Sequence, residues 1–250
     1  MDYLTSAHIH PSGDSVVLTS RGRVFVAPAG KGRLVRASFK EGVRYRDVVF
    51  MPSSKKLLAL SDESGEIEFT FLPADGVGQV NPLTENGKIL RFQGHPSPDG
   101  KWIAFDDKNN DLWLLNTSSG KQDKISYTRN GIGDIVWSPD SRWLTYSQQA
   151  FNTFTQIHLY NLEKGEQIPL TTDRVNSVSP AWSPDGKFIY FLSDRNLRSV
   201  VGSPWGPRQP EPYFDKPVKL YVLSLRKGLR SPFKNEDELF QADGPDRKPE

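Results

Sequence analysis

Cysteine does not occur in this sequence of 250 residues, which excludes disulfides and thiolate metal sites and leaves the compartment open. Long apolar runs are missing as well. None approaches the ~20 residues a membrane-spanning helix needs, and Met1-Asp2-Tyr3 does not open a signal peptide. The chain reads as soluble, cytoplasmic or periplasmic, with no membrane partner. An excess of one charge is also absent. The 32 Lys and Arg nearly balance the 30 Asp and Glu, and the basic residues are scattered, so no nucleic-acid partner is expected.

The usual signatures of chemistry are lacking too. There is no Walker A loop and no G-x-G-x-x-G; Gly76-Val77-Gly78 stands alone. Gly202-Ser203-Pro204-Trp205-Gly206 does not have the spacing of a nucleophile elbow and lies in a proline-rich stretch. His8 and His10 alternate on a strand and could share a face, but no third zinc ligand is near them in sequence. Asp106 and Asp107 are adjacent on a strand, so they point to opposite faces and cannot work as an acid–base pair; a solvated hairpin end is the expectation. No catalytic residue, metal or cofactor is assigned.

What the chain does have is a repeat. Ser179-Pro180-Ala181-Trp182-Ser183-Pro184-Asp185-Gly186-Lys187-Phe188-Ile189-Tyr190-Phe191-Leu192-Ser193 reads as a strand, a tight turn and a second apolar strand. Proline presets the turn, Asp bonds to its backbone and Gly accepts a positive φ. Trp137-Ser138-Pro139-Asp140-Ser141-Arg142-Trp143 and Pro98-Asp99-Gly100-Lys101-Trp102 are further copies, with weaker ones at Pro52 and Pro11. The prolines at 11, 52, 98, 139 and 184 are 41, 46, 41 and 45 residues apart. That is the period of a four-stranded propeller blade. The fold class is therefore all-β: a β-propeller with five antiparallel blades, about 5–38, 44–84, 90–126, 134–171 and 179–233, in an incomplete, open ring.

The second and third strands of each repeat are the most apolar, as expected where both faces are covered. Trp102, Trp113, Trp143, Phe71 and Phe188 are expected to pack between blades. The first strand of repeat three is expected at Leu90–Gly94. In repeat five, Asp194–Pro217 interrupts the pattern with five prolines, which cannot lie inside a sheet. It is expected to project as a loop, with Trp205, Arg208 and Tyr213 as candidate interface residues. Residues 234–250 are charged, lack a strand pattern and read as a linker.

In a propeller the innermost strand lines the central channel. Those strands or their approaches carry Arg44, Arg46 and Asp47, then Arg91 and Gln93, then Asp134, then Ser177 and Ser179. The arginines make a basic mouth that would favour a peptide carboxylate.

Three further stretches narrow the family: Ser20-Arg21-Gly22-Arg23-Val24-Phe25-Val26-Ala27-Pro28-Ala29, Gly42-Val43-Arg44-Tyr45-Arg46-Asp47 and Leu192-Ser193-Asp194-Arg195-Asn196. With Gly202-Ser203-Pro204-Trp205-Gly206, they resemble the second, seven-bladed propeller of tricorn protease and its bacterial homologues, to about Phe233. The resemblance implies a large, oligomeric serine peptidase that trims oligopeptides, with a PDZ-like domain and catalytic domains beyond this segment. It implies a gated peptide route through the propeller, and it carries no catalytic residue onto any position here. The chain departs by having five repeats where the family has seven, so the missing blades become expected partners. The alternative function is a free-standing TolB-like propeller acting as a protein-interaction scaffold.

Overall fold

The structure, a computed structural model, describes residues 3–52, 55–85, 87–195, 199–200, 213–214 and 217–235. Its local rule is written at the Ser-Pro-Asp turns. Ser97 Oγ donates to Asp99 Oδ1 (2.6 Å) and accepts from the Trp102 N–H (3.0 Å), while the Lys101 N–H donates to Asp99 Oδ1 (3.1 Å). The same bonds recur around Ser138 and Asp140 (2.6, 2.9 and 3.1 Å) and around Ser183 and Asp185 (2.6, 2.9 and 3.1 Å). Serine is thus as necessary as Pro-Asp-Gly, because its buried hydroxyl ties the turn to the first residue of the next strand. Ser141 takes the left-handed position that Gly100 and Gly186 take elsewhere (φ 60°), and its Oγ accepts from the Asp99 N–H of the adjacent turn (3.0 Å).

These turns connect an all-β chain; no helix occurs among the described residues. The first sheet is β1 (Leu4–Ile9), β2 (Ser15–Ser20), β3 (Arg23–Pro28) and β4 (Val35–Arg36). The second is β5 (Tyr45–Phe50), β6 (Lys56–Ser61), β7 (Glu68–Pro73) and β8 (Asn81–Pro82). The third is β9 (His95–Pro96), β10 (Trp102–Asp106), β11 (Asp111–Asn116) and β12 (Gln122–Tyr127). The fourth is β13 (Ile132–Trp137), β14 (Trp143–Gln149), β15 (Thr155–Asn161) and β16 (Glu166–Pro169). After β17 (Ser177–Trp182) and β18 (Phe188–Ser193) come β19 (Ser199–Val200) and β20 (Tyr213–Phe214), which pair only with each other. β18 pairs instead with β21 (Lys219–Ser224), so the fifth sheet has three strands among the described residues.

Alternation along the strands glues each sheet to the next. On β6, Leu57 and Ala59 join Val17, Val24 and Tyr45 in a core between the first and second sheets. Leu58 and Leu60 point the other way, to Phe69, Ile103 and Phe105 between the second and third. Ala104, Leu112 and Leu114 meet Ile135, Trp137, Leu144 and Tyr146 between the third and fourth. Two-faced burial of this kind follows from a side-chain period of two in strands covered on both sides. Of the expected inter-sheet aromatics, Phe71 sits in the second core, and Trp113 and Trp102 pack at the margins of the second and third. The largest fully buried rings are Tyr45, Tyr146, Phe69 and Phe105.

Two expectations shift. The first strand of the third sheet is broken: Arg91 forms an isolated bridge to Asp107, and regular pairing begins only at β9. Gly94 is the reason. A Cβ there would lie 2.7 Å from Leu58 Cδ2 and 2.8 Å from Phe69 Cε1, so the backbone itself presses into the core and leaves the ladder. Asp107 is not a solvated hairpin end either. It is buried and accepts from Asn109 N–H (2.8 Å), Asp111 N–H (3.2 Å) and the Trp113 indole (2.9 Å). Trp205, Arg208 and the chain from residue 236 lie outside the described residues; Tyr213 falls on the short β19–β20 ribbon.

Candidate functional site

The innermost strands share one irregularity. Pairing of β5 with β6 breaks between Arg46 and Val49, that of β13 with β14 between Gly133 and Val136, and that of β17 with β18 between Val178 and Ala181. Each break holds one non-glycine residue in the left-handed region: Asp47 (φ 51°), Asp134 (φ 50°) and Ser179 (φ 54°). Each stands five residues before its turn proline (52−47, 139−134, 184−179), and Gln93 holds that place before Pro98. A left-handed residue in a bulge re-aims its side chain and costs about 1–3 kcal/mol, so such strain persists only where the surroundings enforce it. Asp tolerates that region better than most residues.

Asp134 shows what enforces it. Its Oδ2 accepts from Ser147 Oγ (2.7 Å) and from the Ser179 N–H (2.9 Å), so one carboxylate oxygen ties the fourth sheet's bulge to the fifth's. Beside it, the Trp182 indole donates to Thr145 Oγ1 (3.0 Å) across the same joint. Asp134→Ala is expected to cost about 2 kcal/mol in urea unfolding, through two lost bonds to a charged acceptor and a strained alanine. Asp134→Asn keeps an acceptor oxygen and should cost less than about 1 kcal/mol; equal losses in the two variants would refute this account.

The sequence-predicted arginines separate. Arg44 is exposed, its stem packed over Gly22, while its backbone N–H donates to Asp62 Oδ1 (2.8 Å). Gly22 (φ 73°) and Arg21 (φ 51°) form the two-residue turn between β2 and β3 that the strand twist favours. Arg46 Nε stands 3.9 Å from Asp47 Oδ2, so carboxylate and guanidinium offset each other on this wall. Arg91 does not stand in the wall. It is buried and pairs with Glu68, and its Nη1 also reaches Ile67 O and Thr84 Oγ1 (both 3.2 Å). Ser177 is buried too, in contact with Ser193 Oγ (3.3 Å). Gln93, Asp134 and Ser179 are exposed and Asp47 is half-buried. The wall is therefore of mixed charge. Among the described residues no group of three or more His, Asp or Glu is placed to hold a metal ion.

Radial sheets in chain order, sharing cores with their neighbours and presenting their first strands to one axis, define a β-propeller module. The chain belongs to the tricorn protease second beta propeller domain family, whose model matches residues 4–250. It is 28% identical over 200 residues to the tricorn protease homolog of Saccharolobus solfataricus, covering 79% of this chain and 18% of that protein. It is 27% identical over 236 residues to the tricorn protease of Thermoplasma volcanium, covering 89% and 22%. Among solved structures, tricorn protease superposes with a TM-score of 0.79 at 20% identity, over 92% of this chain and 22% of that one. TolB from Acinetobacter baumannii superposes at 0.57 and 15% identity, over 76% and 50%. The chain thus spans about a fifth of the length of the tricorn relatives it matches. No helix among the described residues is long and apolar enough to cross a membrane.

Proposed function

We propose that this chain is the non-catalytic propeller module of a tricorn-like serine peptidase, giving peptide substrates access to the catalytic domains and contributing to assembly of a homo-oligomer. The supporting observation is the set of bulged polar positions on the inner strands, Asp47, Asp134 and Ser179, with Gln93 at the equivalent place in the third repeat and Arg44 and Arg46 beside them. Such a wall offers both signs of charge and amide groups to a passing peptide, gripping none tightly. Arg44 and Arg46 are the groups suited to a peptide carboxylate, since a guanidinium binds it in bidentate fashion. The free-standing scaffold reading is less favoured, because the family model matches a tricorn propeller over residues 4–250 whereas the TolB structure shares the fold alone.

The test uses the complete coding sequence that carries this chain. Arg44→Ala and Arg46→Ala should raise KM for acidic peptides about three- to tenfold and leave kcat unchanged, because solvent-screened contacts bind ground and transition states alike. The 250-residue chain alone should hydrolyse no peptide. Unchanged KM in both variants, or inhibitor-controlled turnover by the chain alone, would overturn the reading.

A further inference from the structure

Beyond the bulges, the first strands continue toward the Ser-Pro-Asp turns and meet around a cleft of about 550 Å³. It draws on four sheets: His8 from the first, Phe50 from the second, Gln93 and His95 from the third, and Trp137 from the fourth. Among the described residues no Lys, Arg, Asp or Glu lines it. That is unlike the 450 Å³ cleft beside Glu68, which Glu63, Glu66 and Glu85 also line. Proline, valine, isoleucine and aromatic carbon make up the remaining wall.

Two imidazoles give this apolar wall its polar content. The Phe50 N–H donates to His8 Nδ1 (3.3 Å), which puts the His8 proton on Nε2. His95 is held on one side because its own carbonyl accepts from the Trp137 indole (2.8 Å). Its ring makes no hydrogen bond to any described residue. Burial lowers the affinity of both rings for protons, that of His95 to a pKa of about 4, so both are neutral near pH 7. A neutral imidazole has one donor and one acceptor, and the half-buried His95 ring pairs neither within the described chain, so both are open to a ligand. The complement of such a pair is a backbone amide, and the complement of the uncharged wall is an apolar side chain. A charged group would be desolvated there without a counter-ion.

We propose that this cleft is a peptide-binding subsite that takes an uncharged apolar side chain, aromatic by preference, with His95 hydrogen-bonding the adjoining backbone amide. The inference rests on the reading of the axial wall as a peptide route, and it gives that route two unlike ends: the charged end at Arg44 and Arg46, and this neutral one at the turns.

The test is imidazole NMR of the 250-residue chain titrated with acetyl-Gly-Phe-Gly-amide and acetyl-Gly-Asp-Gly-amide. The Phe peptide should shift His8 and His95 and spare His158, which is occupied by Gln167 and stacked on Tyr146. The Asp peptide should bind at least tenfold more weakly. His95→Leu keeps the volume and removes the unmatched imidazole; it should weaken Phe-peptide binding about tenfold while raising thermal stability, a pairing of signs that a purely structural residue would not give. Gln93→Lys, at the exposed mouth, puts a charge beside the cleft without touching the core and should also weaken binding. Equal affinity for the two peptides, no shift at His8 and His95, or unchanged binding in both variants would overturn the proposal. So would shifts that track protein concentration without peptide, which would make a second copy the occupant. The two readings fail separately: kinetic effects at Arg44 without shifts at His95 retain the peptide route and remove this subsite. Binding at His95 with unchanged KM in the Arg44 and Arg46 variants does the reverse.

Discussion

Arg91→Ala is expected to lower the stability of the chain by about 3–5 kcal/mol, the cost of stranding one member of a buried ion pair. Glu68 is 6% exposed and Arg91 8%. The Glu68 carboxylate accepts from Arg91, from the Thr84 hydroxyl and from the Gly87 N–H. Thr84 Oγ1 in turn accepts from the Phe69 N–H (2.9 Å) and from Arg91. The contacts converge on Arg91 Nη1 and on both Glu68 carboxylate oxygens, so removing one partner leaves a charge in a site built for two. The network also fixes the connection from the second sheet to the third. A Cβ at Gly87 would come 2.6 Å from Glu68 Oε1, so the connecting backbone passes hard against the carboxylate. Glu68→Gln should cost nearly as much as Arg91→Ala, whereas the double substitution Glu68→Leu with Arg91→Met should recover most of the loss. Urea unfolding of the parent, Glu68→Leu, Arg91→Met and the double variant gives the coupling directly. A normally stable Arg91→Ala protein whose only defect is weaker peptide binding would return Arg91 to the channel wall.

The second large effect is in the pH dependence of stability. His95 is pushed down from 6.5 to about 4 by burial. The unfolded chain therefore takes up a proton below pH 6.5 that the folded chain refuses until about pH 4. The contribution is present in full above 6.5, is lost as pH falls and is gone near 4, a change of about 2 kcal/mol because water reaches part of the half-buried ring. His8 and His158, lowered chiefly by burial, act in the same direction. Asp106 acts in the opposite one. Burial first, then the neighbouring Asp107 carboxylate, raise it from 3.8 to about 6. Its contribution is present in full below 3.8 and is lost as pH rises through 6. Because water reaches part of the side chain, this is worth about 1–2 kcal/mol rather than the full shift. The two windows overlap, so the parent chain should show only a shallow fall in stability from pH 6.5 to 4. Asp106→Asn should be more stable above pH 6 and fall more steeply on acidification. His95→Leu should lose most of the fall. A His95→Leu profile parallel to that of the parent would rule out this origin.

Much of this molecule could be read from the chain itself, for a physical reason. The turns at Pro98, Pro139 and Pro184 close through bonds that span five residues, from Ser97 to Trp102, Ser138 to Trp143 and Ser183 to Phe188. Local bonds leave local signatures, so the turns, the strands on either side and the period of the sheets were all legible. The apolar runs of β6 and β10 are likewise a property of neighbouring residues, and they implied sheets covered on both faces. Arg91 reads on paper like Arg44 and Arg46, since all three stand on or before an inner strand. What separates them is Glu68, 23 residues away, and a glycine at position 94 whose missing side chain lets the backbone leave its ladder. The left-handed Asp134 is held by Ser179, 45 residues on, and the neutral cleft joins His8, Phe50, His95 and Trp137 from four sheets. The sequence alone determined the period, the turns and the two-faced strands, because those energies are made within a few residues. Tertiary structure alone decided which charges are buried, which bulges are held and where an uncharged cleft opens, because those depend on groups some 20 to 130 positions apart being desolvated together.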